Sequence, residues 1–291
     1  MARNVWFYML GVGDAFTAKH FYTNGLFHVD GREFFVDAPA YMNKMWAANN
    51  EIGEEHVDLA RYRELFITHL HADHVGGVEE LAYHQMYRTD DPIKLYGPGW
   101  MLQDIWSHLR PALEPSVRPE GGLASFDWFF EPIAIDQPPE SGLQGAAFHD
   151  FGEFSVTYAF TKHVPKTLMY KFDFGNFRLG YSPDAAFDRA NIEWLADCDL
   201  ILHDTWFGEV KVLGGDIRNL HCPVADLLTL PEALQRKTLL CHYADSAYDV
   251  DPTKPAEEIG EHFRLIQQNR RYHLVVDGQP RPPERWLDPL D

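Results

Sequence analysis

The first apolar run of the chain, Val5-Trp6-Phe7-Tyr8-Met9-Leu10, stops at Gly11-Val12-Gly13. It is too short to cross a bilayer and has the length of a buried strand, so a strand is predicted over 5–10. Leu26-Phe27-His28-Val29 and Glu33-Phe34-Phe35-Val36 flank Asp30-Gly31, which predicts a hairpin with strands over 26–29 and 33–37. Leu65-Phe66-Ile67 predicts a strand over 65–68, and a helix should run from about Val78 to Arg88. Further apolar runs predict strands over 93–96, 154–160, 168–173, 177–181, 199–203, 238–242 and 273–277. Helices are expected over 188–196, 223–235 and 255–268, the last with Pro255 in its first turn. The Pro- and Gly-rich stretch 111–145 reads as a long loop or lid, and 97–150 as an insertion of that kind within one domain spanning 1–291.

Helical and strand-like runs that alternate along the chain predict a layered α/β architecture. At 291 residues and 45% hydrophobic content the chain can bury a large core. A net charge of -19 repels polyanions at long range. Arg61, Arg63 and Arg270-Arg271 are short, scattered basic positions, so no extended nucleic-acid surface is expected. Cys198, Cys222 and Cys241 form no CxxC pair, and no signal peptide or membrane span is recognisable. Reduced thiols, a cytoplasmic location and a small-molecule partner are the expectation.

Chemistry concentrates in Thr68-His69-Leu70-His71-Ala72-Asp73-His74-Val75-Gly76-Gly77, directly after an apolar run. Imidazole and carboxylate are ligands for borderline divalent metals, zinc above all. His69 and His71 alternate, so they leave a strand end on the same side, and Asp73 and His74 follow in the turn before a helix. One turn can thus serve two adjacent ions, His69 and His71 holding one, Asp73 and His74 the other. The alternative, a solvated His-rich loop, does not explain why strand, ligands and glycines coincide.

The order of these signals resembles the metallo-β-lactamase superfamily. Gly11-Val12-Gly13-Asp14-Ala15-Phe16, the hairpin ending in Asp37, and the motif from His69 to Gly77 stand in that family's order, and Val275-Val276-Asp277-Gly278 resembles the closing strand of its nuclease branch. The resemblance implies an αββα sandwich of two facing mixed β-sheets between helical layers. It also implies three more ligands. His163, in Thr161-Lys162-His163-Val164-Pro165, would complete the first metal's histidine triad. Asp184, in Tyr181-Ser182-Pro183-Asp184, would bridge both ions. His242, in Leu239-Leu240-Cys241-His242-Tyr243, would close the second site. Relatives often have Gly before the bridging Asp and Thr after it, where this chain has Pro183 and Ala185.

Leu200-Ile201-Leu202-His203-Asp204-Thr205-Trp206-Phe207 and Asn219-Leu220-His221-Cys222-Pro223 resemble motifs of the ribonuclease Z branch. The resemblance implies that Asp204 orients and charges His221, and that His221 donates a proton to the departing oxygen. The branch generally carries Glu where Asp204 stands, a reach longer by one methylene. The alternative is a His221 that caps its helix and an Asp204 that binds backbone. His203, and with it His20, His28, His84 and His149, is expected to be structural.

Two ions, zinc foremost with manganese or iron as alternatives, would hold a bridging hydroxide that attacks the substrate, with Asp73 as ligand and water-orienting group. Members that process tRNA carry an RNA-gripping arm between the ligands matching His163 and Asp184. Here those residues lie 21 positions apart, enough for two strands and a tight turn at Phe174-Gly175-Asn176. A small nucleotide-type or cyclic phosphodiester is therefore the expected substrate. Trp100, Trp106, Phe126, Trp128, Phe129 and Phe130 could form a lid that stacks a base, or lie in the core. Rival functions are a lactone, thioester or β-lactam hydrolase and a non-catalytic metal-binding protein. A di-iron oxygen-reducing site fits less well, because such relatives generally have Glu where His71 sits. Relatives in the nuclease branch are often dimers, which makes a homodimer an expectation by resemblance alone.

Overall fold

The N-terminal hairpin folds as its pattern predicts. In the computed structural model, which describes residues 1–89, 91–116, 118, 120–138, 143, 146–207, 211–212, 215–245, 247 and 259–290, Val5–Gly11 (β1) pairs antiparallel with Asn24–Val29 (β2). β2 pairs antiparallel with Arg32–Val36 (β3), and Asp30 and Gly31 between them both take positive φ, 49° and 97°, as a two-residue primed turn requires. Glu64–Phe66 (β4), Ile93–Pro98 (β5) and Phe130–Ile135 (β6) then join in parallel.

A second sheet begins with the antiparallel strands Ala147–Asp150 (β7), Ser155–Thr161 (β8), Thr167–Asp173 (β9) and Arg178–Ser182 (β10). Gly175, at φ 83°, makes the tight turn between β9 and β10 that leaves no space for an arm. Leu200–Asp204 (β11) adds in parallel to β10. After a small hairpin of Lys211–Val212 (β12) and Gly215–Asp216 (β13), Thr238–Cys241 (β14) and Arg264–Leu265 (β15) continue the parallel edge. Arg271–Val276 (β16) returns to pair with β1, and Gln279–Pro280 (β17) ends the first sheet. The strand orders are β17-β16-β1-β2-β3-β4-β5-β6 and β15-β14-β11-β10-β9-β8-β7.

The sheets meet through buried aromatic rings. Phe27 and Phe34 of the first sheet lie 5.8 and 5.3 Å, centroid to centroid, from Phe172 of the second, and Phe66 lies 5.9 Å from Tyr170. Such pairs add about 0.5–1.5 kcal/mol beyond the area they bury. Met42–Ile52 (α1), Ala72–Val75 (α2), Val78–His84 (α3) and Gly99–Leu113 (α4) belong to the first half of the chain, and Arg189–Trp194 (α6) lies on the second after the short Phe126–Phe129 (α5). Two mixed sheets with flanking helices are the αββα sandwich that the resemblance implied.

Three expectations need correction. Among the described residues, the stretch 97–150 holds regular elements where a loop or lid was expected: α4 buries Met101, Leu102, Ile105, Leu109 and Leu113, and β6 is the edge strand of the large sheet. Pro111 in the last turn of α4 hides that stripe, because a proline is tolerated there only through the packing of the turns before it. Of the six lid aromatics, Phe129 and Phe130 are fully buried, and Trp100, Trp106, Phe126 and Trp128 pack against the core. Residues 223–235 form two short helices, Val224–Leu227 (α7) and Glu232–Gln235 (α8), because Pro231 has no N–H to bond back into the first. The helix expected over 255–268 begins outside the described residues. Its described part holds a turn, with Gly260 at φ 74°, and strand β15, whose pairing with Leu239 and Leu240 outweighs the helical spacing.

Candidate metal centre

β4 ends at Phe66, and the chain then delivers His69, His71, Asp73 and His74 within one turn that becomes α2. Gly77 is required there, since a Cβ would collide with the Pro39 carbonyl oxygen. Asp37, at the end of β3 in a left-handed conformation (φ 65°), lies beneath this turn. Its Oδ1 accepts the Thr68 N–H at 2.8 Å, and its Oδ2 accepts the Thr68 hydroxyl at 2.8 Å and the His74 Nδ1–H at 2.7 Å. The Thr68 hydroxyl, its proton committed to Asp37, faces His69 Nδ1 at 3.1 Å and can only accept from it. Both Nδ1 atoms therefore carry protons, and both Nε2 atoms have a lone pair to offer.

The second sheet contributes residues at its strand ends. His163 follows β8, Asp184 follows β10, Asp204 closes β11 and His242 follows β14. Parallel pairing of β10, β11 and β14 sets Ser182 beside His203 and Asp204 beside Cys241, so these ends emerge together. His163 Nδ1 donates to the Leu220 carbonyl at 2.9 Å, which again frees Nε2. His242 itself sits at φ 54°, a backbone strain held by the surrounding fold at a residue of the candidate centre.

Seven side chains converge into two clusters, and Asp184 and His242 share a third group with Asp204 and His221. His69, His71, His163 and Asp184 form one, and Asp73, His74, His242 and Asp184 the other, the ligand atoms of each lying within 4.8 Å of one another. Asp184 Oδ2 is 3.3 Å from His69 Nε2 and 3.2 Å from His163 Nε2, and 3.7 and 3.8 Å from His74 Nε2 and His242 Nε2. One oxygen thus faces both clusters. His69 Nε2 and His74 Nε2 are fully buried and have no hydrogen-bond partner, which is costly unless a cation completes them. The donor set and these orphaned nitrogens fit a pair of divalent ions, and the imidazole-rich composition suits zinc.

Electrostatics agree with ligation. Burial pushes the His69 imidazole down to about 3, helped by His74, and keeps His163 below its ordinary value, so both are neutral donors. Burial disfavours charge on Asp73 and Asp184, yet the imidazoles around them hold both well below the usual carboxylate range. His74 and His242 are raised, against burial, by Asp37 and Asp184 respectively, and a bound cation would take the place of those protons.

His221 lies beside both clusters. Its Nδ1 donates to Asp204 Oδ2 at 2.9 Å and is 3.3 Å from Asp184 Oδ1. The shorter aspartate therefore spans the distance, because Asp204 is buried at the end of β11 and is itself fixed by the Ala185 N–H at 2.9 Å. Burial opposes a charge on His221, but Asp204 and then Asp184 outweigh it and raise the imidazole to about 11. The ring stacks with Trp206 and with His242, their centroids 5.7 and 5.3 Å away and their planes within 13° and 26° of parallel. His203 turns away, its Nδ1 donating to the Asp204 carbonyl. His28 stacks on Trp6, and His20 packs edge-on against Tyr243.

Asp37, Thr68, Trp206 and Leu220 take supporting positions to which the sequence assigns no role. A signal existed only for Asp37, a lone acid closing an apolar hairpin. The cavity over the clusters encloses about 280 Å³ and is lined by Phe16, Asp73, His163, Asp184, His221 and Leu220 among others. None of the six lid aromatics borders it. Among the described residues, no helix is long and apolar enough to cross a membrane.

Solved structures share this architecture at low identity. The metallo-β-lactamase fold protein YhfI from Bacillus subtilis matches with a TM-score of 0.65 at 13% identity, covering 93% of this chain and 99% of its own. The short form of human tRNase Z matches at 0.62 and 14%, covering 91% and 98%. A diphosphatase of the PhnP family matches at 0.62 and 13%, covering 94% and 98%. Sequence relatives are nearer. The anti-Pycsar protein Apyc1 of Paenibacillus harenae is 31% identical over 273 residues, 91% of this chain and 98% of its own length. That of Paenibacillus xerothermodurans is 31% identical over 242 residues, 81% and 87%, and that of Bacillus phage BSP38 is 28% identical over 253 residues, 83% and 90%. The family model described as anti-Pycsar protein Apyc1 matches residues 5–272. With the metallo-β-lactamase fold and two histidine–aspartate clusters in place, the chain belongs to the anti-Pycsar protein Apyc1 family.

Proposed function

We propose that this chain is a dinuclear, metal-dependent phosphodiesterase that opens a small phosphodiester of the nucleotide or cyclic type. The observation that carries the proposal is the position of His221, donated to Asp204 at 2.9 Å and set beside the oxygen-sharing Asp184. Phosphodiester cleavage leaves an alkoxide that needs a proton, and a charged imidazole at the rim of the site supplies one. Two divalent ions, zinc by the character of the donors, would polarise a phosphoryl oxygen and make water nucleophilic near neutral pH.

The chain's own residues do the rest. His69, His71 and His163 would hold one ion, and His74, Asp73 and His242 the other, with Asp184 between them. Asp73 carries a carboxylate that stays ionised and can orient the attacking water. Asp204 keeps Nδ1 of His221 protonated and fixes the ring, which leaves Nε2 to give its proton to the departing oxygen, and Trp206 limits the ring's tilt. An acyl hydrolase would have less use for this acid. The family's name and the diphosphatase neighbour support a phosphate ester over a lactone or thioester.

The test compares a chromogenic phosphodiester with a lactone and a thioester, using zinc- and manganese-loaded wild type and His221→Ala. Diester turnover is expected to fall roughly 10²–10⁴-fold in the variant, the usual range for a general acid, with bound metal unchanged. Lactone or thioester turnover that dominates in wild type and survives the substitution would overturn the proposal.

A further inference from the structure

We infer that Asp184, Asp204 and His221 form a third cation site, weaker than the two clusters, through which excess zinc disables the protein's own acid. A divalent ion bound there takes the place of the hydrogen on His221 Nδ1, which leaves to solvent as a proton. Occupancy stands on the donor geometry, and its effect on turnover rests on the phosphodiesterase reading above.

The two carboxylates offer more acceptor atoms than one imidazole can satisfy. His221 Nδ1 donates to Asp204 Oδ2 at 2.9 Å, and that oxygen also accepts the Ala185 N–H at 2.9 Å. Asp204 Oδ1 and Asp184 Oδ1 are left over, both buried and both without a hydrogen-bond partner, on residues that are 0% and 1% exposed. Asp184 divides its oxygens: Oδ2 faces the two clusters, and Oδ1 lies 3.3 Å from His221 Nδ1. Orienting the ring needs one carboxylate, and Asp204 Oδ2 already does it. Two orphaned, buried carboxylate oxygens beside the same imidazole are costly, and a cation is the partner they lack.

The spacing suits coordination. Donors around a tetrahedral zinc with bonds of about 2.0–2.2 Å lie about 3.3–3.5 Å apart. His221 Nδ1 is 2.9 and 3.3 Å from the two carboxylate oxygens that face it, against 3.3 and 3.2 Å from Asp184 Oδ2 to the His69 and His163 nitrogens. Asp184, Asp204, His221 and His242 offer donor atoms that all lie within 4.8 Å of one another. His242 faces Asp73 Oδ2 through Nε2 at 3.3 Å and so serves the second cluster, which leaves three side-chain donors here. His221 and Asp184 line the cavity, so an ion reaches them from solvent. Three donors, an aspartate shared with two other cations and the repulsion among those cations make this site the weakest of the three. One imidazole and two carboxylates suit zinc or manganese, whereas magnesium prefers oxygen donors and keeps its waters. A coordinated, neutral imidazole is a far weaker acid than an imidazolium, so filling the site removes the proton donor.

The experiment dialyses the metal-loaded protein against graded free zinc and measures bound zinc per chain beside turnover of a chromogenic phosphodiester. Wild type, His221→Ala and Asp204→Asn are compared. Wild type should take up a third ion at zinc concentrations above those that fill the first two. Its turnover should fall over the same range, toward the roughly 10²–10⁴-fold loss of a missing general acid, and return when the excess zinc is removed. Both variants should keep two ions and lose the third, and magnesium at the same concentrations should leave wild-type turnover unchanged. Wild type that stops at two ions, a third ion that persists in both variants, or a third ion that leaves an active wild type unslowed would overturn the inference. A third ion that both variants lose, in a protein that cleaves no phosphodiester at any zinc concentration, would keep the site and refute the phosphodiesterase reading.

Discussion

The two halves of the molecule supply the site in different ways. The N-terminal half delivers His69, His71, Asp73 and His74 from one turn after β4, and braces them with its own residues through Asp37 and Thr68. The C-terminal half delivers His163, Asp184, Asp204, His221 and His242 from separate strand ends and loops, and these residues largely brace one another. His163 is held by the carbonyl of Leu220, His221 by Asp204, and the His221 ring stacks with Trp206 and with His242. A contiguous motif owes its geometry to local hydrogen bonds. The dispersed set owes it to strand register, so a disturbance at one member passes to the next.

The largest effect should come where the halves meet. Asp184→Asn keeps the shape and removes the charge of the one carboxylate whose oxygen faces both clusters. Bound metal is expected to fall from two ions to at most one per chain, and diester turnover by about 10³-fold or more, since two ions act as one clamp. Elemental analysis of the loaded protein beside turnover checks this, and retention of both ions would break the idea of a shared ligand.

Asp37→Ala sharpens the other side of the comparison. It removes the local brace without touching a ligand, and leaves the buried Thr68 hydroxyl and His74 Nδ1 short of their acceptor. Metal affinity should drop about 10–100-fold, as for other partners that orient ligating histidines. Stability without metal should fall by roughly 2–4 kcal/mol, because a buried charged hydrogen bond is broken on one side. Chelator competition and denaturant unfolding measure the two, and unchanged affinity would mean that the N-terminal motif needs no brace.

The smallest effect concerns acid stability away from the site. His273 on β16 is pushed down to about 4 by burial and by the nearby Arg271 and Arg281. Its folded value lies below the unfolded one near 6.5, so the unfolded chain binds the proton first. Its contribution is intact above pH 6.5 and is lost as pH falls from 6.5 toward 4. His273→Gln should reduce the acid-induced loss of stability across that window by about 1–2 kcal/mol, read from unfolding midpoints at a series of pH values. An identical loss in the variant would mean that His273 contributes nothing to the acid sensitivity.

Much of this was legible along the chain. Every strand expected from an apolar run is present within a few residues, because runs this short, bounded by turn residues, suit a buried strand better than a helix. The stretch His69 to His74 pointed to a candidate metal centre because its donors are adjacent, and the structure brings them into clusters that could hold metal. Where the expectation failed, proline was weighed too simply. Pro111 concealed α4, whereas Pro231 divided a helix that hydrophobic spacing alone would have continued.

By itself, then, the sequence determined the strands, the two-residue hairpin turn at Asp30-Gly31, the donor types, and the order in which they leave their strands. Only the tertiary structure decided that Oδ2 of Asp184 is the shared oxygen, that Asp204 reaches His221 despite its shorter side chain, and that Leu220 orients His163. It also decided that Phe16 stands at the rim and that the six aromatics between Trp100 and Phe130 do not. The reason is range. Periodicity and turn chemistry act over a few residues, whereas the approach of Asp184, Asp204 and His242 depends on the register of β10, β11 and β14, which side-chain packing between distant segments fixes.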